Sequence, residues 1–152
     1  MSLGDSFPNK FKSDFSNRNL AVGKVLKLKV KDTNPPKIKR FVIVGFSEDK
    51  FTLALVYINS EINTNINWSL EQQELQLELN ADEREYLDKT SYIDCSQFII
   101  KDCEEIKSII KSRPDSVLGE VGENDMKLIL DKLIEARTIK GKIKKRYGLY
   151  DL

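Results

Sequence analysis

The sequence predicts a mainly β fold with helices (α+β), a small β-barrel followed by a C-terminal amphipathic helix. Three observations predict it: a length of 152 residues, short strand-like runs from residue 22 to residue 100, and a periodic apolar stripe after residue 122. A chain of this length can bury one core and falls in the size range of a single domain. We expect a barrel domain over residues 21–139, an N-terminal arm or short helix over 1–20, and a basic C-terminal tail over 140–152.

The first elements are an arm and a strand. Phe7, Phe11 and Phe15 recur every four residues, which suits a short helix that packs against its own domain. Residues 22–31 then alternate between apolar and lysine side chains, the period of a half-buried strand with a core face and a row of ammonium groups. Asp32, Pro35 and Pro36 favour a loop that extends to Lys39, because proline has no backbone donor for a strand.

A β-hairpin forms the centre of the predicted sheet. Residues 40–46 and 51–58 are almost unbroken runs of β-branched, aromatic and aliphatic side chains, so both faces of the hairpin should be covered. Residues 47–50 make the turn. Leu75, Leu77 and Leu79 alternate with polar residues in a further strand, and residues 91–95 and 98–100 supply one or two more. Short strands close together in sequence are typical of a small barrel.

Two helices follow these strands. Asp102 is suited to cap the first helix, which must stop before Pro114. Residues 117–121 are extended. The second helix has an apolar stripe at helical spacing, which predicts a helix packed on the core; the stripe consists of Met126, Ile129, Leu130, Leu133 and Ile134.

Composition excludes several classes of protein. No run approaches the roughly 18 apolar residues of a spanning helix, and the first 20 residues lack the apolar region of a secretory signal, so we expect a cytoplasmic protein without membrane contact. The absence of histidine excludes a Ser-His pair and a histidine-ligated metal, and no glycine-rich phosphate loop occurs. We expect no metal and no cofactor. We expect Cys95 and Cys103 to be reduced thiols that pack in the core.

The charges are segregated along the chain although the net charge is only +1. Residues 24–40 and 137–146 are basic, whereas residues 61–88 are acidic. Such segregation can steer an anionic ligand to one side of a protein. The alternative for each lysine alone is a solubilising surface role.

The basic segment before the hairpin predicts a phosphate-binding site. Arg40 is suited to it because a guanidinium stays charged and donates two parallel hydrogen bonds. Tyr57 and Trp68 are candidates for stacking the bases of a single strand, and each is equally suited to the core. The predicted nucleic-acid-binding lysines are Lys27, Lys29, Lys31, Lys37 and Lys39.

Several short motifs follow one another in a familiar order from about residue 23 to residue 139. They are Gly23-Lys24-Val25-Leu26, Arg40-Phe41-Val42-Ile43-Val44, Val56-Tyr57-Ile58-Asn59-Ser60, Ser91-Tyr92-Ile93-Asp94 and Leu118-Gly119-Glu120-Val121. In this order they resemble the MazF/PemK family of toxin endoribonucleases. The resemblance implies a small SH3-like β-barrel. It also implies a homodimer that an antitoxin protein neutralises.

The resemblance further implies metal-independent cleavage of single-stranded RNA, by attack of the ribose 2′-hydroxyl on the adjacent phosphate. Arg40 matches the family's functional arginine, which stabilises the developing charge. Asn59 stands at the family's threonine position and Ser60 at the serine that follows it, while Phe41 replaces the usual proline. The candidate catalytic residues are therefore Arg40, Ser60 and Asn59.

A different class of function fits the same residues. A non-catalytic SH3-like module would use the basic groove to bind nucleic acid or a protein partner. The basic segment from Arg137 to Arg146 favours this alternative, because affinity for phosphate needs only positive charge.

Overall fold

The computed structural model describes residues 15–30, 37–60 and 69–149. Residues 15–19 are helical, and Pro114–Ser116 form a 3₁₀ turn. The strands are β1 (Lys24–Val30), β2 (Lys37–Phe46), β3 (Thr52–Asn59), β4 (Gln76–Leu79), β5 (Ser91–Asp94), β6 (Ile99–Asp102) and β7 (Val117–Glu120). The helices after β3 are α1 (Leu70–Glu74), α2 (Cys103–Ser112), α3 (Glu123–Glu135) and α4 (Gly141–Arg146).

The strands form one curled antiparallel sheet, a half-barrel in the order β4-β5-β3-β2-β1-β7. The long central strand β3 has two partners on one side: its start pairs with β6 and its end with β5. A small barrel-like sheet with helices is thus confirmed. Among the described residues, helices account for 35% and strands for 34%, so the predicted α+β class is confirmed, with helices as extensive as strands where the sequence predicts a mainly β fold.

Two apolar cores lie on opposite faces of this sheet, which explains the unbroken apolar runs of the hairpin. Phe41 and Ile43 pack in a cluster with Ile106 of α2, while Val42 packs in the other cluster with Ile129 of α3. Successive side chains of a strand point to opposite faces, so a strand between two cores needs apolar residues at every position. The predicted hairpin, covered on both faces, is confirmed.

The predicted helices α2 and α3 are present. The Asp102 carboxylate accepts a hydrogen bond of 2.8 Å from the Glu104 backbone N–H, as the sequence predicts for the cap of α2. Ile129 and Leu133 of the apolar stripe are fully buried. The charged residues of α2 and α3 lie on the remaining faces of these helices, so each helix buries one face only.

Two features of the fold differ from the sequence prediction. Strand β2 begins at Lys37, because Lys37–Lys39 continue the ladder opposite Leu28–Val30 instead of belonging to the loop. Helix α1 was not expected; its N-terminus has a capping box in which the Ser69 side chain and the Gln72 side chain each bond the other's backbone N–H. Of the predicted loop, residues 32–36 lie outside the described residues.

The basic C-terminal segment folds onto the closed end of the hairpin. Tyr147 and Leu149 are buried in the cluster that contains Ile129, and the Tyr147 hydroxyl lies 2.9 Å from Thr52 Oγ1. Gly45 permits this packing, since a Cβ there would lie 2.5 Å from the Tyr147 carbonyl oxygen. The division of the chain into arm, barrel and tail stays a prediction, but residues 141–149 are helical or packed on the core and not a detached extension.

Cys95 and Cys103 are buried free thiols, as predicted. Burial raises the pKa of Cys95 to about 12 and also raises the pKa of Cys103. Among residues 15–30, 37–60 and 69–149, no helix combines the length and apolar character that crossing a membrane requires.

Candidate nucleic-acid interface

A row of side chains crosses the sheet at the open end of the hairpin. Arg40 on β2 lies directly between Lys27 on β1 and Ile58 on β3 in the strand register. Directly opposed residues of an antiparallel pair project from the same face. Two cations therefore stand side by side on a platform whose third member, Ile58, is apolar and buried.

Strand alternation sets the lysines of β1 on that face. Leu26 and Leu28 are buried on the other side of the sheet, so Lys27 and Lys29 project from the face of Arg40, as the sequence predicts. Lys29 pairs with Ile38, whose side chain is 65% exposed. This face thus changes from core to solvent within one strand.

An open groove of about 340 Å³ begins at this row. It is basic, and its lining includes the cations Lys27, Lys37, Lys39, Arg40 and Lys89. Asn59 and Ser60 also line it, so the structure brings together most of the residues that the sequence nominates. Lys29 shares the face of Arg40 without lining the groove, and Lys31 lies outside the described residues.

The groove contains an ion pair between Arg40 and Asp88 that the sequence does not predict. Arg40 Nη2 donates a hydrogen bond of 2.6 Å to Asp88 Oδ2, and this bond is the main reason that the pKa of Asp88 is lowered from its ordinary value. The Arg40 side chain is 30% exposed and that of Asp88 80%. An ion pair so accessible to water is weak, so it can open at little cost.

The loop that carries Asp88 is fastened on both sides of that residue. The Arg84 guanidinium donates two hydrogen bonds, of 2.8 and 3.1 Å, to the Asp125 carboxylate of α3. Leu87 is buried, and the Ser91 hydroxyl donates to the Lys89 carbonyl oxygen over 2.9 Å. These contacts hold the backbone of the loop on either side of Asp88.

The three candidate catalytic residues do not project alike. Ile58 is opposite Arg40, so by strand alternation Asn59 projects from the other face of the sheet. Ser60 follows β3 and is exposed at the mouth of the groove. Neither an amide nor a neutral hydroxyl is a proton acceptor of useful basicity at neutral pH.

Neither of the two residues that the sequence offers for stacking on bases, Tyr57 and Trp68, is found in the described part of the groove. The ring of Tyr57 packs against Phe41, with ring centroids 4.8 Å apart on the face opposite Arg40, so Tyr57 contributes to the core. Trp68 lies outside the described residues. No aromatic side chain is among the groove-lining residues of the described chain.

Acidic residues of the segment 61–88 do not gather at one site. Asp82 and Glu83 line a separate cavity of about 620 Å³ beside Glu120 and Glu123. Asp88, from the same segment, lies in the basic groove instead. Arg146, from the second basic segment, lines a pocket with Asp49 at the closed end of the hairpin, the end opposite to the groove.

The sequence contained no signal for the placement of Asp88 and Lys89. They reach the groove from a loop 48 residues away from Arg40 in sequence, and no local pattern marks that contact. No protein-family model matches the chain, and no curated protein matches it. Membership of the MazF/PemK family therefore stays a prediction.

Proposed function

We propose that this protein binds single-stranded RNA in the basic groove and cleaves it there without a metal ion. The reaction is attack of the ribose 2′-hydroxyl on the adjacent phosphate. The proposal includes the finer interpretation of the fold, an SH3-like barrel of the MazF/PemK type. It also includes a cytoplasmic homodimer held inactive by an antitoxin, as the resemblance implies.

The convergence of cations on Arg40 is the observation that supports binding. Lys27 and Arg40 are neighbours across β1 and β2, and the same groove is lined by Lys37 and Lys39 of β2 and by Lys89 from the loop before β5. A phosphate that enters displaces one weak ion pair, with Asp88, and gains a bidentate guanidinium partner. Lysines along the groove can neutralise the flanking phosphates of a strand.

Cleavage is supported by the position of Arg40 on the central strands of the sheet. Both neighbouring strands are hydrogen-bonded to β2, and Val42 in the next row is fully buried, so the backbone that carries the guanidinium is rigid. A fixed cation can stabilise the charge that develops on a phosphorane without reorganising.

The test is cleavage of a long single-stranded RNA in excess chelator. Wild type should cut the RNA to products ending in 2′,3′-cyclic phosphates, and Arg40→Ala should lower the cleavage rate at least 100-fold. Arg113→Ala, which removes an exposed arginine at the end of α2, is the charge-matched control and should cut normally. RNA left intact by wild type would refute the nuclease proposal.

A second candidate is the non-catalytic module that binds nucleic acid or a protein through the same groove. The projection of Asn59 away from Arg40 favours it, because the residue at the expected hydroxyl position does not share the face of the sheet that carries the guanidinium. Salt-sensitive RNA binding without cleavage identifies this function. Absence of RNA binding even at low salt points to a protein partner.

A further inference from the structure

We propose that Arg84 and Asp125 are positioning residues of the groove. Their ion pair holds the loop of residues 80–90 to α3, so that Lys89 keeps its place beside the phosphates of a bound strand. The inference rests on the proposed binding of RNA. It adds two residues that do not line the groove.

The loop of residues 80–90 takes part in two sites of opposite charge. Its first half, with Asp82 and Glu83, lines the cavity beside Glu120, and its second half, with Asp88 and Lys89, lines the basic groove. An exposed lysine on a loop contributes to a binding site only while the loop keeps its position. The contacts that fix this loop therefore matter for the groove.

Arg84 joins the loop to the rest of the protein. Its guanidinium donates hydrogen bonds of 2.8 and 3.1 Å to the two carboxylate oxygens of Asp125. Two more, of 3.1 and 3.0 Å, go to the backbone and side-chain oxygens of Asn80 at the start of the loop. The Arg84 side chain is 23% exposed and that of Asp125 16%, so water screens this pair less than an open surface pair.

Asp125 is a suitable partner because α3 is fixed by the core. Ile129 and Leu133 of this helix are fully buried. Asp125 lies in the first turn of α3, where the helix dipole favours a carboxylate. The loop is thus joined to an element that packs against the sheet.

The other ion pair of the loop is lost when the groove is occupied. Among the described residues, only Arg84 and Asp88 form side-chain hydrogen bonds from this loop to the rest of the chain, and Asp88 bonds to Arg40. A phosphate bound to Arg40 displaces Asp88. The bond to Asp125 is then what keeps Lys89 at the groove.

The backbone next to Arg84 also indicates a constraint. Glu83 has a φ of 60°, in the left-handed region that residues other than glycine seldom adopt. Such a conformation persists where the surrounding contacts enforce it. The hydrogen bonds of the Arg84 guanidinium supply contacts of this kind at the next residue.

The alternative is that apolar burial alone positions the loop, since Tyr86 and Leu87 are 3% and 6% exposed. The two explanations predict different results for Asp125→Asn, a substitution that conserves shape. With burial alone, the groove is unchanged, and loss of a negative charge favours binding of a polyanion. With positioning by the ion pair, binding becomes weaker, which is the opposite sign.

The first experiment uses the protein without nucleic acid. The pKa of Asp88 reports the position of the loop, because the hydrogen bond from Arg40 lowers it. In an NMR titration, Asp125→Asn should raise this pKa towards its value in Arg40→Ala. Asp131→Asn, which makes the same charge change at an exposed position of α3, should leave it unchanged.

Two further variants guard against a fold defect, which circular dichroism detects. Asp125→Glu keeps a carboxylate and should restore the low pKa of Asp88. Arg84→Lys keeps the charge but loses the two-armed fork, so it should raise this pKa as Asp125→Asn does.

The second experiment measures binding of a single-stranded DNA oligonucleotide, which lacks the 2′-hydroxyl and therefore stays intact. Asp125→Asn and Lys89→Ala should each make the slope of log K against log salt shallower by about 0.7, which weakens binding about fivefold at 100 mM salt. The double variant should bind as Lys89→Ala does, because the same contact is lost in both. Asp131→Asn should match wild type.

The outcomes separate the inference from the function on which it rests. Failure of wild type to bind a single strand at low salt refutes the proposed function and the inference with it. Binding by wild type, together with an unchanged pKa of Asp88 and an unchanged slope in Asp125→Asn, overturns the inference alone. Additive losses in the double variant would also overturn it, since Lys89 would then keep its contact without the ion pair.

Discussion

The groove predicts a steep dependence of RNA binding on salt. Each phosphate neutralised on a single strand contributes about −0.7 to the slope of log K against log salt. Five cations line the groove, and Asp88 offsets one of them, so the slope should lie between about −2.8 and −3.5. Affinity should therefore fall about 50- to 130-fold between 50 and 200 mM salt.

Removal of one cation tests this arithmetic. Lys27→Ala should make the slope shallower by about 0.7, which lessens the loss of affinity over the same salt range by about 2.6-fold. Lys127→Ala, at an exposed position of α3, is the matched control and should leave the slope unchanged. The assay is fluorescence anisotropy of a labelled single-stranded RNA with chelator. A slope shallower than about −1, or equal effects of the two variants, would refute binding in this groove.

Three further predictions concern charge and burial. Lys144 is 4% exposed and donates hydrogen bonds of 2.7 and 2.6 Å to carbonyl oxygens at the end of α3. Lys144→Met should therefore lower the free energy of unfolding by about 2–4 kcal/mol and the Tm by about 5–15 °C. Thermal unfolding measures the change, and Lys145→Met, at an exposed position, is the control. An NMR titration should give Asp88 a lower pKa in wild type than in Arg40→Ala. Because the pKa of Asp88 is depressed in the native protein, the ion pair stabilises the fold above about pH 4, and this stabilisation is lost as the pH falls through the native pKa. With a pKa of about 12 and no exposed surface, Cys95 should resist iodoacetamide at pH 8 until urea unfolds the protein, and labelling of the native protein detected by mass spectrometry would contradict this.

Local signals in the sequence predict most of the fold. The hairpin strands are specified by continuous β-branched and aromatic runs, and α2 by the cap at Asp102 and the stop at Pro114. Helix α4 escapes prediction because its sequence GKIKKR has no amphipathic pattern of its own. Its stability depends on tertiary contacts, chiefly Lys144 bonded to carbonyls of another helix. Such contacts leave no periodic trace in the sequence.

The site is only partly predictable for a similar reason. Arg40 and Lys27 follow from strand alternation and register, which are local or nearly local properties. Asp88 enters the groove through a loop whose position depends on the Arg84–Asp125 ion pair, so its role requires knowledge of the packing. The projection of Asn59 likewise depends on the register between β2 and β3, because a shift of one residue would reverse it.

The close approach of Tyr147 to Gly45 has a consequence for biosynthesis. A ribosome completes the hairpin long before it reaches the residues that cover the face of β2 at Gly45. The nascent sheet therefore carries one uncovered apolar face, and an uncovered sheet of this kind is open to wrong association. Helix α2 can shield the other face first, since it follows β6 directly. Completion of the native protein must wait until the segment around Tyr147 has been synthesised and can close over Gly45.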